Sequence, residues 1–115
     1  MNIRKIIKEG ISKSDELQSL SDKIFSMGVT LRVYIKGEIL YITHIERNQG
    51  SRISGTEAMS MVVNFADNNQ LNMSLWASPN YGVPLNELVK FYEKFDFVVI
   101  RDAGNGKIMD RTYNK

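Results

Sequence analysis

Residues 38–66 read EILYITHIERNQGSRISGTEAMSMVVNFA, and this passage decides the fold. Its first nine residues are rich in β-branched and aromatic side chains, which suit a pleated, half-buried strand. A polar run follows over residues 48–54, with Gly50 and several residues able to cap a helix. Beyond it, Ala58, Met59, Val62, Val63 and Ala66 recur at the spacing of one helix face. The unit is therefore strand, loop, helix. Period-two alternation puts Ile39, Tyr41, Thr43 and Ile45 on one face of the strand and Leu40, Ile42, His44 and Glu46 on the other.

On the N-terminal side, residues 29–35 alternate Leu31, Val33 and Ile35 with other side chains, and Lys36 and Gly37 join them to residues 38–46 as an antiparallel hairpin. Before the hairpin, residues 12–27 carry Leu17, Leu20, Ile24 and Met27 at helical spacing. Ser12 or Ser14 caps this helix, Asp15 and Glu16 suit its positive first turn, and Gly28 closes it. On the C-terminal side, residues 71–77 (LNMSLWA) form a short strand and residues 78–83 a loop. Pro84 is suited to the first turn of a helix whose inner face holds Leu85, Leu88, Tyr92 and Phe95. Residues 97–101 and 107–112 then pair around Gly104, Asn105 and Gly106. Because residues 71–77 follow a strand and a helix, they can run parallel to the strand ending at Glu46, while the hairpin partners are antiparallel. The expectation is an α/β domain with a mixed, mostly antiparallel sheet and flanking helices. It spans residues 1–115 as one unit, with an N-terminal helical segment over 1–28 and the sheet-helix core over 29–115.

Composition narrows the function. With 43% hydrophobic and 24% charged residues, the 115-residue chain has the make-up of a soluble globule. It contains no apolar run of the roughly 18–20 residues that a membrane helix needs, so no membrane partner is expected. Residues 1–10 lack the apolar core and cleavage site of a signal peptide, so a cytoplasmic location is expected. Zero cysteines exclude disulfides, thiolate nucleophiles and cysteine-based metal centres, and no metal is expected. The net charge of +2 is spread among acids, which argues against nucleic acid as a partner and leaves a mild attraction for an anion.

The chemistry concentrates between Ile45 and Thr56. A helix N-terminus presents backbone N–H groups without intrahelical partners and a partial positive charge, a natural seat for phosphate. Gly55 permits close approach to the backbone, and Arg47 and Arg52 bring positive charge. Glycine before a helix is also the mark of an ordinary connection.

This stretch resembles the acyl-CoA motif of the GNAT (Gcn5-related N-acetyltransferase) superfamily, V-x-P-x-x-R-G-x-G-I-G followed by a small residue. Ile45 stands at the valine, Arg47 at the proline, Gly50 at the arginine, Gly55 at the last glycine and Thr56 at the small residue. Ser51 and Ile53 replace two glycines, Ser54 lies between Ile53 and Gly55, and Arg52 is the neighbouring cation. Downstream, residues 88–97 (LVKFYEKFDF) resemble A-x-x-x-Y-E-K-x-G-F, with Leu88 for the alanine and Asp96 for the glycine. The order and spacing are those of very short phage-encoded members, an anti-CRISPR type among them.

The resemblance implies a sheet whose parallel strand pair splays to admit acetyl-CoA, and transfer of its acetyl group to an amine such as a protein lysine. It implies cofactor contacts from Ile45, Arg47, Gly50, Ser51, Arg52, Ile53, Ser54, Gly55 and Thr56, and a proton from Tyr92 to the departing thiolate. Glu46 or His44 is the candidate base, and Trp76 and Tyr81 are candidates to line the acceptor site. Small members of the family pair, so a homodimer is a further expectation. Two other readings stay open: a GNAT-like binding module without catalysis, such as a phage inhibitor of a host protein, and an unrelated α/β interaction domain.

Overall fold

Ser12 accepts a hydrogen bond from the Asp15 N–H at 3.1 Å and so starts helix α1 (Lys13–Ser26), which buries Leu17 and Ile24. The computed structural model describes residues 12–79 and 83–114, so the N-terminal residues 1–11 and Tyr81 lie outside the described residues. Strands β1 (Val29–Lys36) and β2 (Ile39–Arg47) follow, then α2 (Gly55–Asn68), β3 (Asn72–Ala77), α3 (Leu85–Glu93), β4 (Val98–Ala103) and β5 (Gly106–Arg111). Each expected element is present, with ends shifted by a residue or two. Pro84 is the N-cap of α3 rather than a residue inside its first turn, as its extended backbone (ψ 146°) requires.

The five strands make one sheet in the order β1-β2-β3-β5-β4. Only β2 and β3 are parallel; the other pairs are antiparallel. The fold is thus the mixed, mostly antiparallel α/β arrangement that the sequence implies.

The alternation expected along β2 is corrected by a β-bulge. Arg32 opposes His44 while Val33 opposes Ile42, so Thr43 is an extra residue on β2. Directly opposed residues share a face, and the phase of β2 therefore flips at Thr43. Ile45 joins Leu40 and Ile42 on the core face, opposite Leu31, Val33 and Ile35 of β1. His44 and Glu46 join Ile39 and Tyr41 on the other face, opposite Arg32 and Thr30. Thr43 itself is exposed and donates its hydroxyl to the Arg32 carbonyl at 3.1 Å. A second bulge at Ile100 of β4 brings Arg101 opposite Ile108.

The three helices contribute their apolar residues to a single core with one face of the sheet. Ala58, Met59, Val62, Val63 and Ala66 of α2 meet Leu40, Ile42, Met73, Leu75 and Met109, and Tyr92 of α3 closes the cluster beside Phe97. Burial of each such large side chain is worth roughly 1.5–3 kcal/mol. No helix of the described residues is long and apolar enough to cross a membrane.

Arg111 ties the C-terminal end of the sheet to the end of α2. Its side chain is 2% exposed and forms a two-pronged pair with Asp67 at 2.7 and 3.0 Å, while its Nε donates to the Phe95 carbonyl at 2.7 Å. Asp67 also accepts from the Asn114 N–H at 2.9 Å. The hydrogen bonds from Arg111 hold the Asp67 carboxyl below the usual carboxylate range against the opposing effect of burial, and the Asn114 N–H adds to them.

A depressed carboxyl pKa contributes stability above the unfolded value of about 3.9 and loses it as pH falls through the folded value. Denaturation in urea should therefore become easier as pH drops below roughly 4. Asp67→Asn should remove that component and cost about 2–3 kcal/mol at neutral pH, somewhat less than the loss of a fully buried partner because Asp67 is partly solvated.

Candidate active site

Parallel pairing of β2 with β3 runs from Ile39–Asn72 to Ile42–Leu75 and stops there. The next residue of β2 is the bulged Thr43, so the two strands part where β2 kinks. Past this point the β3-facing edge of β2 has no strand partner among the described residues, and a cleft of ≈ 470 Å³ lies beside it. Ile42, Thr43, His44 and Ile45 form one wall and Leu75, Trp76, Ala77 and Ser78 the other. Leu88 and Tyr92 of α3 line it from the helical side, and Tyr34, Tyr41 and Arg101 from the open sheet face. The cleft thus passes through the sheet from one face to the other.

Tyr92 is 7% exposed and packs edge-on to Phe91 and tilted against Phe97, with ring centroids 5.3 and 5.8 Å away. Desolvation pushes its phenol pKa above the ordinary value. The group therefore stays protonated at neutral pH, as a proton donor must. Helix α3 ends at Glu93 and β4 begins at Val98; in the turn between them Asp96, which stands where the motif it resembles has glycine, has φ +71°. The left-handed conformation is thus retained, and aspartate is among the residues that tolerate it.

His44 and Glu46 are two residues apart on one face of β2, and the bulge keeps both out of the core. His44 Nε2 lies 3.3 Å from Glu46 Oε2. Of the two, His44 lines the cleft, and Glu46 stands behind it as its hydrogen-bond partner. Glu46 makes no ion pair with Arg47 or Arg52 among the described residues. Trp76 is 50% exposed at the cleft and is anchored by its indole N–H to the Ala103 carbonyl at 2.9 Å.

The loop between β2 and α2 is locked to the end of α1. Asn48 N–H donates to the Gly28 carbonyl at 2.8 Å and Arg52 N–H to the Met27 carbonyl at 2.9 Å. Arg47 donates to the carbonyls of Ile53 and Ser51, at 3.0 and 3.4 Å, and Arg52 to that of Ser26 at 3.0 Å. Both guanidinium groups are exposed, so they shape the loop and still present charge to solvent. Gly50 turns the loop at φ +78°, and the Ser51 hydroxyl lies 2.7 Å from the Ile53 carbonyl.

Ser54 and Glu57 form a capping box at the start of α2, each side chain meeting the other's backbone N–H, at 3.0 and 3.5 Å. The N–H groups of Gly55 and Thr56 have no partner among the described residues. A Cβ on Gly55 would meet the Phe91 ring at 3.9 Å, an ordinary van der Waals contact. Of the turn residues expected to hold the cofactor, Ile45 lines the cleft, Gly55 and Thr56 offer donors, and Arg47 and Arg52 offer charge. Gly50, Ser51, Ile53 and Ser54 shape the loop.

Tyr34, Tyr41 and Arg101 were not read from the sequence as cleft residues. Tyr34 and Tyr41 stack across the hairpin at 4.9 Å; the turn lies at Gly37 and Glu38, with Lys36 paired to Ile39, one residue beyond the Lys36–Gly37 turn expected, and that register is what sets the two rings opposite each other. Arg101 reaches the cleft through the bulge at Ile100, for which the sequence carries no local signal.

A mixed sheet with one parallel pair splaying at a bulge, and a helix starting beyond it, is a GNAT-like fold. The anti-CRISPR protein AcrVA5 shares it, with a TM-score of 0.61 and 23% identity over 74% of this chain and 90% of that one. So does the PaiA N-acetyltransferase from Thermoplasma acidophilum, solved in complex with coenzyme A, with a TM-score of 0.53 and 15% identity over 96% of this chain and 77% of that one. No family model and no curated protein sequence matches this chain.

The fit of the loop against α1 yields a direct test. Gly28 has φ +107°, and a Cβ there would lie 2.5 Å from the Ser51 Cα. Gly28→Ala should cost about 2 kcal/mol or more in chemical denaturation, since backbone strain and overpacking add.

Proposed function

We propose that this chain is an N-acetyltransferase that moves an acetyl group from acetyl-CoA to an amine. The observation that carries the reading is the through-sheet cleft at the splayed β2–β3 pair, with a buried, protonated Tyr92 on its helical side and His44 on its wall. The coenzyme A complex of the similar PaiA acetyltransferase supports the choice of donor. Acetyl-CoA, when bound, supplies an activated acyl group and a thiolate leaving group.

The residues around the cleft fit that molecule. Free N–H groups of Gly55 and Thr56, the positive end of α2 and the charges of Arg47 and Arg52 suit a pyrophosphate. The parted edge of β2 offers backbone donors to polarise a thioester carbonyl, a role preorganised dipoles perform well in a cleft with little water. Tyr92 gives its proton to the thiolate; the same desolvation that raises the phenol pKa also raises that of a buried thiol, which keeps the two close enough for transfer. His44 removes the proton of the attacking amine, directly or through water, and Glu46 orients the imidazole through the 3.3 Å contact. The open sheet face, with Tyr34, Tyr41 and Trp76 at the cleft mouth, is the side from which the acceptor enters.

Thermal denaturation tests the donor site: a ligand at a hundred times its dissociation constant adds about 2.7 kcal/mol of stability. A rise in melting temperature with acetyl-CoA is expected. Its lack at millimolar CoA would remove the cofactor and leave the fold as a binding module. Tyr92→Phe keeps the ring contacts and should lower turnover by about a hundredfold while leaving CoA affinity unchanged. Glu57→Gln keeps the capping box and removes a negative charge from the anion seat. CoA should then bind about two- to fivefold tighter, more so at low salt.

A further inference from the structure

On the open face of the sheet, beside the cleft and sharing Tyr41 and Ser74 with it, lies a second cavity of ≈ 590 Å³. Ile39, Val98 and Ile100 give it an aliphatic lining. Val98 is 58% and Ile100 53% exposed, although aliphatic side chains grouped on a sheet face are ordinarily covered by another layer. Pairing with a second copy along the sheet edge does not supply that cover. Strand β4 is the last in the sheet, but its bulge at Ile100 interrupts the regular ladder that an added strand needs, a common protection of edges.

The chain itself carries a segment of matching chemistry. Residues 1–11, MNIRKIIKEGI, hold isoleucines at positions 3, 6, 7 and 11, and three of the 15 basic residues against one of the 13 acidic ones. The rest of the chain is therefore electrically neutral, and the whole net charge of +2 sits in this segment. The cavity has the opposite sign. Its own cation, Arg111, is committed to Asp67 and the Phe95 carbonyl, which leaves the exposed Asp96, backed by Asp110, to make the wall negative.

The segment also joins the fold at the right end of the sheet. Lys13, at the start of α1, donates to the Asn69 carbonyl at 3.0 Å, and Asn72, three residues further on, lines the cavity. Eleven extended residues span at most about 36 Å, enough to round the end of the sheet and run from Ile39 toward Val98.

We infer that residues 1–11 dock in this cavity, their isoleucines against Ile39, Val98 and Ile100 and their basic side chains beside the acidic wall. The docked segment borders the route to the cleft at Tyr41 and Ser74, and its place does not depend on whether the cleft transfers an acyl group.

The chain has no cysteine, so a pair introduced into the 115-residue protein reports contact without background. Under mild oxidation Ile3→Cys with Val98→Cys should close a disulfide within one chain at least tenfold faster than Ile3→Cys with Phe25→Cys, as a raised effective concentration warrants. Phe25 is 61% exposed and lies about 20 Å along α1 from Ser12, so an undocked segment meets it no less often than Val98. Adding Ile6→Asp and Ile7→Asp should slow closure with Val98 to the rate of the Phe25 pair. Equal rates for the two pairs, or closure with Val98 that survives the aspartates, overturn the docking. A disulfide that forms between two chains gives the cavity to a second copy and overturns it as well.

Discussion

One extra residue in β2 sets the arrangement on which the rest of the site depends. The bulge at Thr43 kinks the strand at the point where its parallel pairing with β3 ends, so a gap opens in the middle of a sheet that would otherwise be closed. The same residue inverts the side-chain phase beyond it. Ile45 goes into the core and His44 and Glu46 go to the open face. Without that inversion an imidazole and its neighbouring carboxylate would face the helices, where both would need partners for groups taken out of water. Packing and chemistry are thus settled by one backbone irregularity.

The inversion also divides the labour of the sheet. One face is consumed by the helices, with Leu40, Ile42, Met73, Leu75 and Met109 fully or almost fully buried. The other carries Tyr34, Tyr41, Trp76, Arg101 and Asp110, side chains with polar tips or charges that a core would not accept. Tyr92 belongs to the first layer by packing and also lines the cleft.

The turn between β2 and α2 has a less obvious balance. Glycines that would let many backbone donors approach a pyrophosphate are replaced by Ser51 and Ile53, and the loop uses their carbonyls to hold Arg47. Contacts to Gly28 and Met27 bind the loop to α1, so it is a fixed platform rather than a flexible turn. Donors remain at Gly55 and Thr56, but the Glu57 carboxylate at the same helix end opposes an anion.

The sequence by itself determined the order of elements, the apolar stripe of α2 and the turn around Gly104; it allowed the parallel pairing of β2 with β3 and left the cap of α1 between Ser12 and Ser14, which the structure resolves as Ser12. These follow from periods of 3.6 and 2 and from residues with local conformational preferences, all of which act within a few positions. Resemblance to the GNAT motif brought Tyr92 into consideration, and a shared strand face near its end brought His44 and Glu46. Tertiary structure decided which way those side chains point. A bulge is stabilised by the partner strand and by what each face is packed against, so the inversion at Thr43 and the exposure of Arg101 past Ile100 have no local signature. The commitment of Arg52 to the Ser26 carbonyl was likewise set by a group far away in sequence. Hydrogen bonding is a property of neighbours in space, and only the packed chain brings them together.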